Sequence, residues 1–321
     1  MPEENLTATP VFDAAIVGAG PAGASCALWL KQLGFRPVLI DRQSRCGGLQ
    51  LSNPYTNTWI ATSVQRSGRE VADDLHANMI AHQVALQLDT FCESARVHED
   101  GVELRLSRPG SVATTVQARY LVMACGVVPR SAGLSSRLGL IVGPGTAVAE
   151  TDLRGRRVAI LGGGDNAFEN WQFATAQGAD SVTIFARTVR ARASLVDQVP
   201  AACVRRGPFD FDAPGQRVNG QRYDQILVLF GYELARHALL GLEPALRADG
   251  FVWTNSQAQT SLPRVFAIGE LAQRAHPCCA TAMADGVVAA KAIQRELDSN
   301  LAARGRGVVR RLAAAGAQLL G

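Results

Sequence analysis

The chain has 321 residues, 47% apolar and 19% charged, with 32 Lys and Arg against 28 Asp and Glu. Its length suits two domains with their own cores, and its composition excludes a disordered or fibrous chain. A net charge of +4, spread along the chain, gives no basis for nucleic-acid binding. The longest apolar run, around residues 120–128, is about half the ~18 residues a membrane span needs. Near Glu3 and Glu4 there is no basic-then-apolar segment, so no secretory signal is expected and the cytoplasm is the expected compartment. Seven cysteines without C-x-x-C spacing and five unclustered histidines argue against a structural metal site and against a disulfide framework.

The first readable unit spans residues 13–41. Ala14–Val17 is a short apolar run suited to a buried parallel strand, and Gly18-Ala-Gly20-Pro21-Ala22-Gly23 follows it. A helix is predicted over Ala24–Leu33, closed by Gly34, and a second strand over Pro37–Ile40 ends at Asp41. The spacing has a mechanical reason. Gly18 permits the tight turn, Gly20 lets the backbone approach a pyrophosphate, and Gly23 brings helix and strand close. The phosphates then sit at the helix N-terminus, and an acid such as Asp41 accepts from a ribose hydroxyl.

A second unit starts at Arg157. Val158–Leu161 reads as its strand, Gly162, Gly164 and Ala167 fill the three small positions, Phe168–Gln177 reads as the helix and Val182–Phe185 as the next strand. No acid follows that strand; Arg187, Arg190 and Arg192 stand there instead. A carboxylate repels a 2′-phosphate and guanidinium groups pair with it, so NADPH is favoured over NADH. Two dinucleotide sites in one chain suggest a flavin together with a nicotinamide.

With those units in place, the sequence over about residues 12–297 resembles the low-molecular-weight thioredoxin reductase family of two-dinucleotide-binding-domain flavoproteins. Further segments carry the resemblance: Cys46-Gly47-Gly48-Leu-Gln50, Trp59, Leu121–Val127 with Cys125 and Gly126, Gly162–Glu169, Leu262–Leu271 and Ala280–Ala290. It implies an α/β fold of two Rossmann-like three-layer domains, the NAD(P)H-binding one inserted into the FAD-binding one. The implied segments are 1–127 and 236–321 for FAD and 128–235 for NAD(P)H.

The resemblance implies FAD contacts from Gly18, Gly20, Pro21, Ala22, Gly23, Asp41, Arg42, Gly48, Gln50, Trp59, Gly126, Gly269, Glu270 and Ala280. It implies NADPH contacts from Gly162, Gly164, Asp165, Asn166, Ala167, Glu169, Arg187 and Arg192. Glu270 stands where the family has Asp, one methylene shorter. Tyr55 and Trp59 suit either a flavin contact or the core. In the family register, His276, Cys278 and Cys279 fall at the start of the last helix, beside the flavin, and are the candidate catalytic residues. There His276 is placed to deliver a proton and a cysteine at a helix N-terminus to carry a lowered pKa; packing is the alternative for all three.

Three departures bear on function. The family reduces disulfides through C-x-x-C ahead of its second glycine motif, whereas the matching window here is Gly145-Thr146-Ala147-Val148. Between Ser194 and Gln225 the chain is shorter than the family's β-meander, and Arg205–Gly220 reads mostly as turn. The tail 299–321 carries Arg304, Arg306, Arg310 and Arg311 among leucines and reads as an amphipathic or a frayed basic helix.

The expected function is therefore a flavin oxidoreductase passing electrons from NADPH directly to an acceptor, either a small redox protein such as ferredoxin or flavodoxin or a small molecule. Ferredoxin/flavodoxin-type NADP reductases of this architecture also lack the dithiol. The alternatives are an NADPH-independent flavoenzyme (an oxidase or a ferredoxin-driven enzyme), a non-catalytic flavin sensor, and a disulfide reductase using Cys278 or Cys279. The resemblance also implies a homodimer.

Overall fold

The computed structural model describes residues 12–57, 59–274 and 276–318, with side chains as far as residue 299. They form two compact units. One holds the chain up to Leu51, Thr56–Gly126 and everything from Ala235; the other holds Ser52–Tyr55 and Val127–Leu234.

In the first unit β1 (Phe12–Val17) leads into α1 (Pro21–Gln32) and β2 (Pro37–Ile40), then α2 (Gly68–Ala81), β3 (Ala85–Gln87), β4 (Phe91–Val97), β5 (Val102–Ser107) and β6 (Thr114–Met123). The sheet order is β3-β2-β1-β6-β5-β4. The pairs β3–β2, β2–β1 and β1–β6 are parallel, whereas β6–β5 and β5–β4 are antiparallel. The entry of α2 is fixed by a capping box, with Ser67 accepting from Glu70 N–H and Glu70 from Ser67 N–H.

The second unit contributes β7 (Val128–Pro129), β8 (Leu140–Val142), α3 (Thr146–Ala149), β9 (Arg157–Leu161), α4 (Asp165–Ala176), β10 (Ser181–Ala186), α5 (Ala193–Val196) and β11 (Val204–Arg206). It ends with β12 (Phe211–Asp212), β13 (Arg217–Val218), β14 (Gln221–Arg222), β15 (Gln225–Val228) and β16 (Tyr232–Glu233). A fully parallel sheet runs β11-β10-β9-β15-β8. One face, with Val158, Ile160, Ile184 and Leu227, packs on Ala167, Phe168 and Ala174 of α4. The other face, with Ala159, Leu161, Phe185 and Val228, packs on Val218 and Tyr223.

That second face corrects the reading of Arg205–Gly220 as turn. Strands β12, β13 and β14 form an antiparallel three-stranded meander, and its apolar residues supply the layer the parallel sheet needs on its far side.

The chain then returns to the first unit with β17 (Val265–Ala267) and α6 (Cys279–Gln318). β17 pairs in parallel with the C-terminal half of β6, beyond the stretch that β5 occupies. Helices α1 and α6 cover Ala14, Ile16, Leu39, Tyr120, Val122 and Phe266 of the sheet. They approach closely where Gly286 meets α1: a Cβ there would stand 2.4 Å from Ala22 O. Helix α6 continues through the tail as far as Gln318; the side chains of the basic tail lie outside the described residues, as do Glu3 and Glu4. Among the described residues no helix is long and apolar enough to cross a membrane.

Candidate functional site

Both helices that follow a glycine motif start earlier than the sequence pattern suggests. α1 begins at Pro21 and α4 at Asp165, each directly after its glycine N-cap, Gly20 or Gly164. Each motif therefore overlaps the first helical turn, where backbone N–H groups lack intrahelical partners and suit an anion.

In the first unit the glycines are enforced by backbone. Gly18 has φ +109°, and a Cβ on it would lie 2.2 Å from Ala124 O; a Cβ on Gly23 would lie 1.9 Å from Gly18 O. Asp41, at the end of β2, accepts from Ala19 N–H at 2.6 Å and from Gln43 N–H at 2.8 Å. Its carboxylate ties the two strand exits together and keeps spare lone pairs for a hydroxyl. Arg42 beside it is exposed.

Residues 46–48 lie on the glycine turn. Gly47 N–H donates to Ala19 O at 2.7 Å, and Gly48 packs on the Gly20 backbone. Gln50 follows, with its side-chain Oε1 buried and unsatisfied within the chain. Trp59 is 68% exposed, which removes it from the core. Tyr55 falls in the second unit and meets Phe173 edge-on at 5.5 Å, with its hydroxyl buried and unsatisfied within the chain. Gly126 has φ +66° with open space around it. Cys125 donates to Val17 O at 3.4 Å, and burial pushes its thiol up to about 12.

Gly269 has φ +69° and stands against Ala22, so the Gly269–Leu271 turn closes on the phosphate-facing end of α1. Burial alone raises the Glu270 carboxyl above its ordinary value. Arg274 and Asp285, which sequence reading passed over, complete this corner. Asp285 accepts from Gly269 N–H at 3.1 Å and faces Arg274 at 3.4 Å. A signal was present: Asp285 is the one charged residue in the run 279–290.

Gly269, Glu270, Arg274, Cys278, Thr281 and Asp285 line a small cavity. Helix α6 starts at Cys279, and Ala280 is exposed in its first turn. Thr281 Oγ1 accepts from Cys278 N–H at 3.2 Å, and its one proton has competing acceptors in reach, among them His276 O at 2.6 Å and Cys278 Sγ at 3.4 Å.

Burial raises the Cys278 thiol, but the Thr281 hydroxyl and the amides of Thr281 and Ala280 outweigh it, and the net effect is a lowered pKa. Cys279 goes the other way, buried and pushed up to about 11. The two neighbouring thiols therefore differ: Cys278 is half-buried with surroundings that favour its thiolate, whereas Cys279 is buried with surroundings that disfavour it. His276 is exposed beside them.

The second site repeats the backbone logic. A Cβ on Gly162 would lie 2.2 Å from Leu229 O, whereas Gly164 faces open space. Ala167 is buried under the sheet, and Asn166 O accepts from Asn170 Nδ2 at 2.7 Å. Arg187 is exposed at the end of β10. Arg192, expected to meet a phosphate, is bound to Asp165 and Glu169 at 2.9 and 3.2 Å. The physical reason is local: its backbone N–H also donates to Asp165 at 2.9 Å, which brings the guanidinium over the first turn of α4.

The two sites fit FAD and NADPH. Each presents a turn in which backbone excludes a Cβ at some glycines (Gly18 and Gly23, Gly162 and Gly163), and a helix N-terminus suited to a pyrophosphate. The first adds an orphaned buried acceptor at Gln50, and the second has exposed guanidinium groups where a ribose-binding acid would otherwise stand.

Known proteins agree with this reading. Residues 12–206 match the family model described as pyridine nucleotide-disulphide oxidoreductase. A thioredoxin reductase of Listeria monocytogenes is 24% identical over 314 residues, covering 90% of this chain and 94% of that protein. Among solved structures, the thioredoxin reductase of Lactococcus lactis has a TM-score of 0.73 at 18% identity, covering 88% of this chain and 98% of that one. A bacillithiol disulfide reductase from Bacillus cereus has a TM-score of 0.74 at 14% identity, covering 89% and 100%. The chain belongs to the pyridine nucleotide-disulphide oxidoreductase family and is a flavin oxidoreductase of the thioredoxin reductase type, with FAD and NADPH as cofactors.

Proposed function

We propose that this protein passes electrons from NADPH through FAD directly to an acceptor, a small redox protein such as ferredoxin or flavodoxin or a small molecule, without a redox dithiol. The observation that carries the reading is the single cysteine, Cys203, in residues 127–234. The window where the resemblance places C-x-x-C is Gly145-Thr146-Ala147-Val148, folded here around the short helix α3. Its Thr146 hydroxyl is spent on Ser52 O at 3.1 Å. Neither thiol of a relay exists there, and no other side chain performs thiol–disulfide exchange.

In this reading the first unit holds FAD and the second holds NADPH. Bound FAD supplies the exchange between a hydride donor and one- or two-electron acceptors. The chain's own residues bind and orient. Gly18, Gly20 and Gly23 with the α1 N-terminus take the pyrophosphate, Asp41 takes a ribose hydroxyl, and Gly269–Glu270 with the α6 N-terminus meet the far end of the cofactor. His276 stands at the exposed rim as a proton donor. The reading also carries a homodimer located in the cytoplasm.

Anaerobic addition of NADPH is expected to bleach the flavin band, and ferredoxin, flavodoxin or a quinone is then expected to restore it. A band that NADPH leaves untouched ends the proposal and selects a ferredoxin-driven enzyme, an oxidase or a sensor.

A second reading has a specific observation behind it. The surroundings of Cys278 favour its thiolate, and relatives are named thioredoxin reductases. Here the Cys278 thiolate attacks one sulfur of a substrate disulfide, and the other sulfur leaves as a thiolate. The mixed disulfide left on Cys278 then needs an electron pair, supplied by bound reduced FAD, to release the second substrate thiolate and restore the Cys278 thiolate. Trapping of a mixed disulfide on Cys278, together with loss of disulfide reduction in Cys278→Ser, selects it. Full turnover in that variant removes it.

A further inference from the structure

The loop after β10 is strapped to the second glycine turn. Arg190 N–H and Ala191 N–H both donate to Gly163 O, at 2.7 and 3.0 Å, and a Cβ on Gly163 would stand 2.1 Å from Thr188 O. Arg192 closes the strap. Its backbone N–H and guanidinium meet the two oxygens of Asp165, each at 2.9 Å, and the guanidinium also reaches Glu169 Oε1 at 3.2 Å. Arg187 and Arg190 are exposed and form no ion pair among the described residues.

We propose that Asp165 and Glu169 set the nucleotide preference by holding Arg192, so that the site separates NADPH from NADH only weakly and does so through Arg187. The inference rests on residues 128–235 being the nucleotide-binding part. A 2′-phosphate competes for Arg192 with two carboxylates already in charge-assisted contact, and those carboxylates repel it. Arg187 directly follows β10, where the group that reads the ribose 2′-position stands in a dinucleotide fold, and no carboxylate holds it. The three side chains of the triad are about two-fifths exposed, with values of 39%, 41% and 44%, so the competition is worth a modest factor rather than a complete block.

Calorimetric titration of the FAD-loaded protein with 2′,5′-ADP and with 5′-AMP reads the preference as a ratio of dissociation constants, without turnover. Glu169→Gln is expected to shift the ratio toward 2′,5′-ADP by about two- to fivefold. Arg192→Lys is expected to leave it within about twofold, and Arg187→Gln to bring it close to one. A ratio that collapses in Arg192→Lys and stays unmoved in Glu169→Gln overturns the proposal. Absence of binding by both probes in the wild type removes the nucleotide site itself and the proposal with it. Melting curves of each variant separate a lost fold from a lost contact, and 5′-AMP affinity, which does not involve the 2′-position, serves as the internal control.

Discussion

Asp285 of α6 accepts a hydrogen bond from the Gly269 amide at 3.1 Å, and its second oxygen faces Arg274 at 3.4 Å. Arg274 in turn donates to Ser256 O at 2.6 Å. Asp285 and Arg274 side chains are only 14% and 19% exposed, so little water is available to replace either contact. Gly269 leans on Ala22, and Ser25 Oγ donates to Met283 O at 2.8 Å. The helix, turn and helix that would surround FAD thus meet in one corner, with Asp285 as its charged member. A hydrogen bond to a charged, buried group is worth about 1.5–3 kcal/mol.

Asp285→Ala is therefore expected to weaken FAD binding by about ten- to a hundredfold. Asp285→Asn keeps an acceptor for Gly269 and should lose less. Equilibrium dialysis of FAD against each variant measures this, and wild-type affinity in Asp285→Ala would sink the argument.

The first glycine motif makes a sharper demand. A Cβ on Gly23 would lie 1.9 Å from Gly18 O, and one on Gly286 would lie 2.4 Å from Ala22 O. Both obstacles are backbone, so relief requires α1 to move. Overpacking of this kind costs about 1–3 kcal/mol or more. Gly23→Ala should lower the melting temperature of the protein and release FAD together, whereas Gly34→Ala, with open space at φ +85°, should cost only backbone strain and leave FAD bound. Thermal melts with and without added FAD distinguish the two.

How much of this was legible beforehand follows from where each constraint acts. The strand at Pro37–Ile40 and the two glycine motifs were readable because their physics is local: apolar runs and tight turns within about 20 residues. The meander was not. Its two-residue strands exist only through pairs such as Phe211 with Val218 and Asp212 with Arg217, and no periodicity can show in two residues. Tyr55 leaves no local trace either, because the four residues Ser52–Tyr55 join the second unit through partners such as Phe173 and Thr146, far along the chain. The ion pairs of Arg192 leave no local trace for another reason: its partners Asp165 and Glu169 belong to the helix preceding β10, and only the fold brings them together.

Glu270 yields a pH-dependent prediction. Burial raises its carboxyl pKa above 4.5, the ordinary value, so the folded FAD-free chain holds this proton more tightly than the unfolded one. Its contribution to stability is then largest below pH ~4.5 and is lost as pH rises through the folded value, since ionisation costs more in the buried setting. Glu270→Gln removes that penalty. The variant should melt higher than wild type at pH 7–8, and the gap should shrink toward pH 4. A gap independent of pH would show that Glu270 is held by something other than its burial.

The remaining prediction concerns the thiols. Cys278 has a lowered pKa, whereas Cys26, Cys46, Cys92, Cys125 and Cys279 are all raised by burial, to between about 11 and about 12. Alkylation proceeds through the thiolate. Under limiting iodoacetamide near pH 7, Cys278 should therefore be modified ahead of those five, and its rate should level off at a lower pH than that of an ordinary thiol. Thr281→Val removes the hydroxyl that supports the thiolate, at 3.4 Å from Sγ, and should move the midpoint of that rate profile upward while leaving the amides of α6 in place. Peptide mapping by mass spectrometry follows each site separately. Equal labelling of Cys278 and Cys279, or an unchanged midpoint in Thr281→Val, would show that the Thr281 contact does not set the reactivity of this thiol.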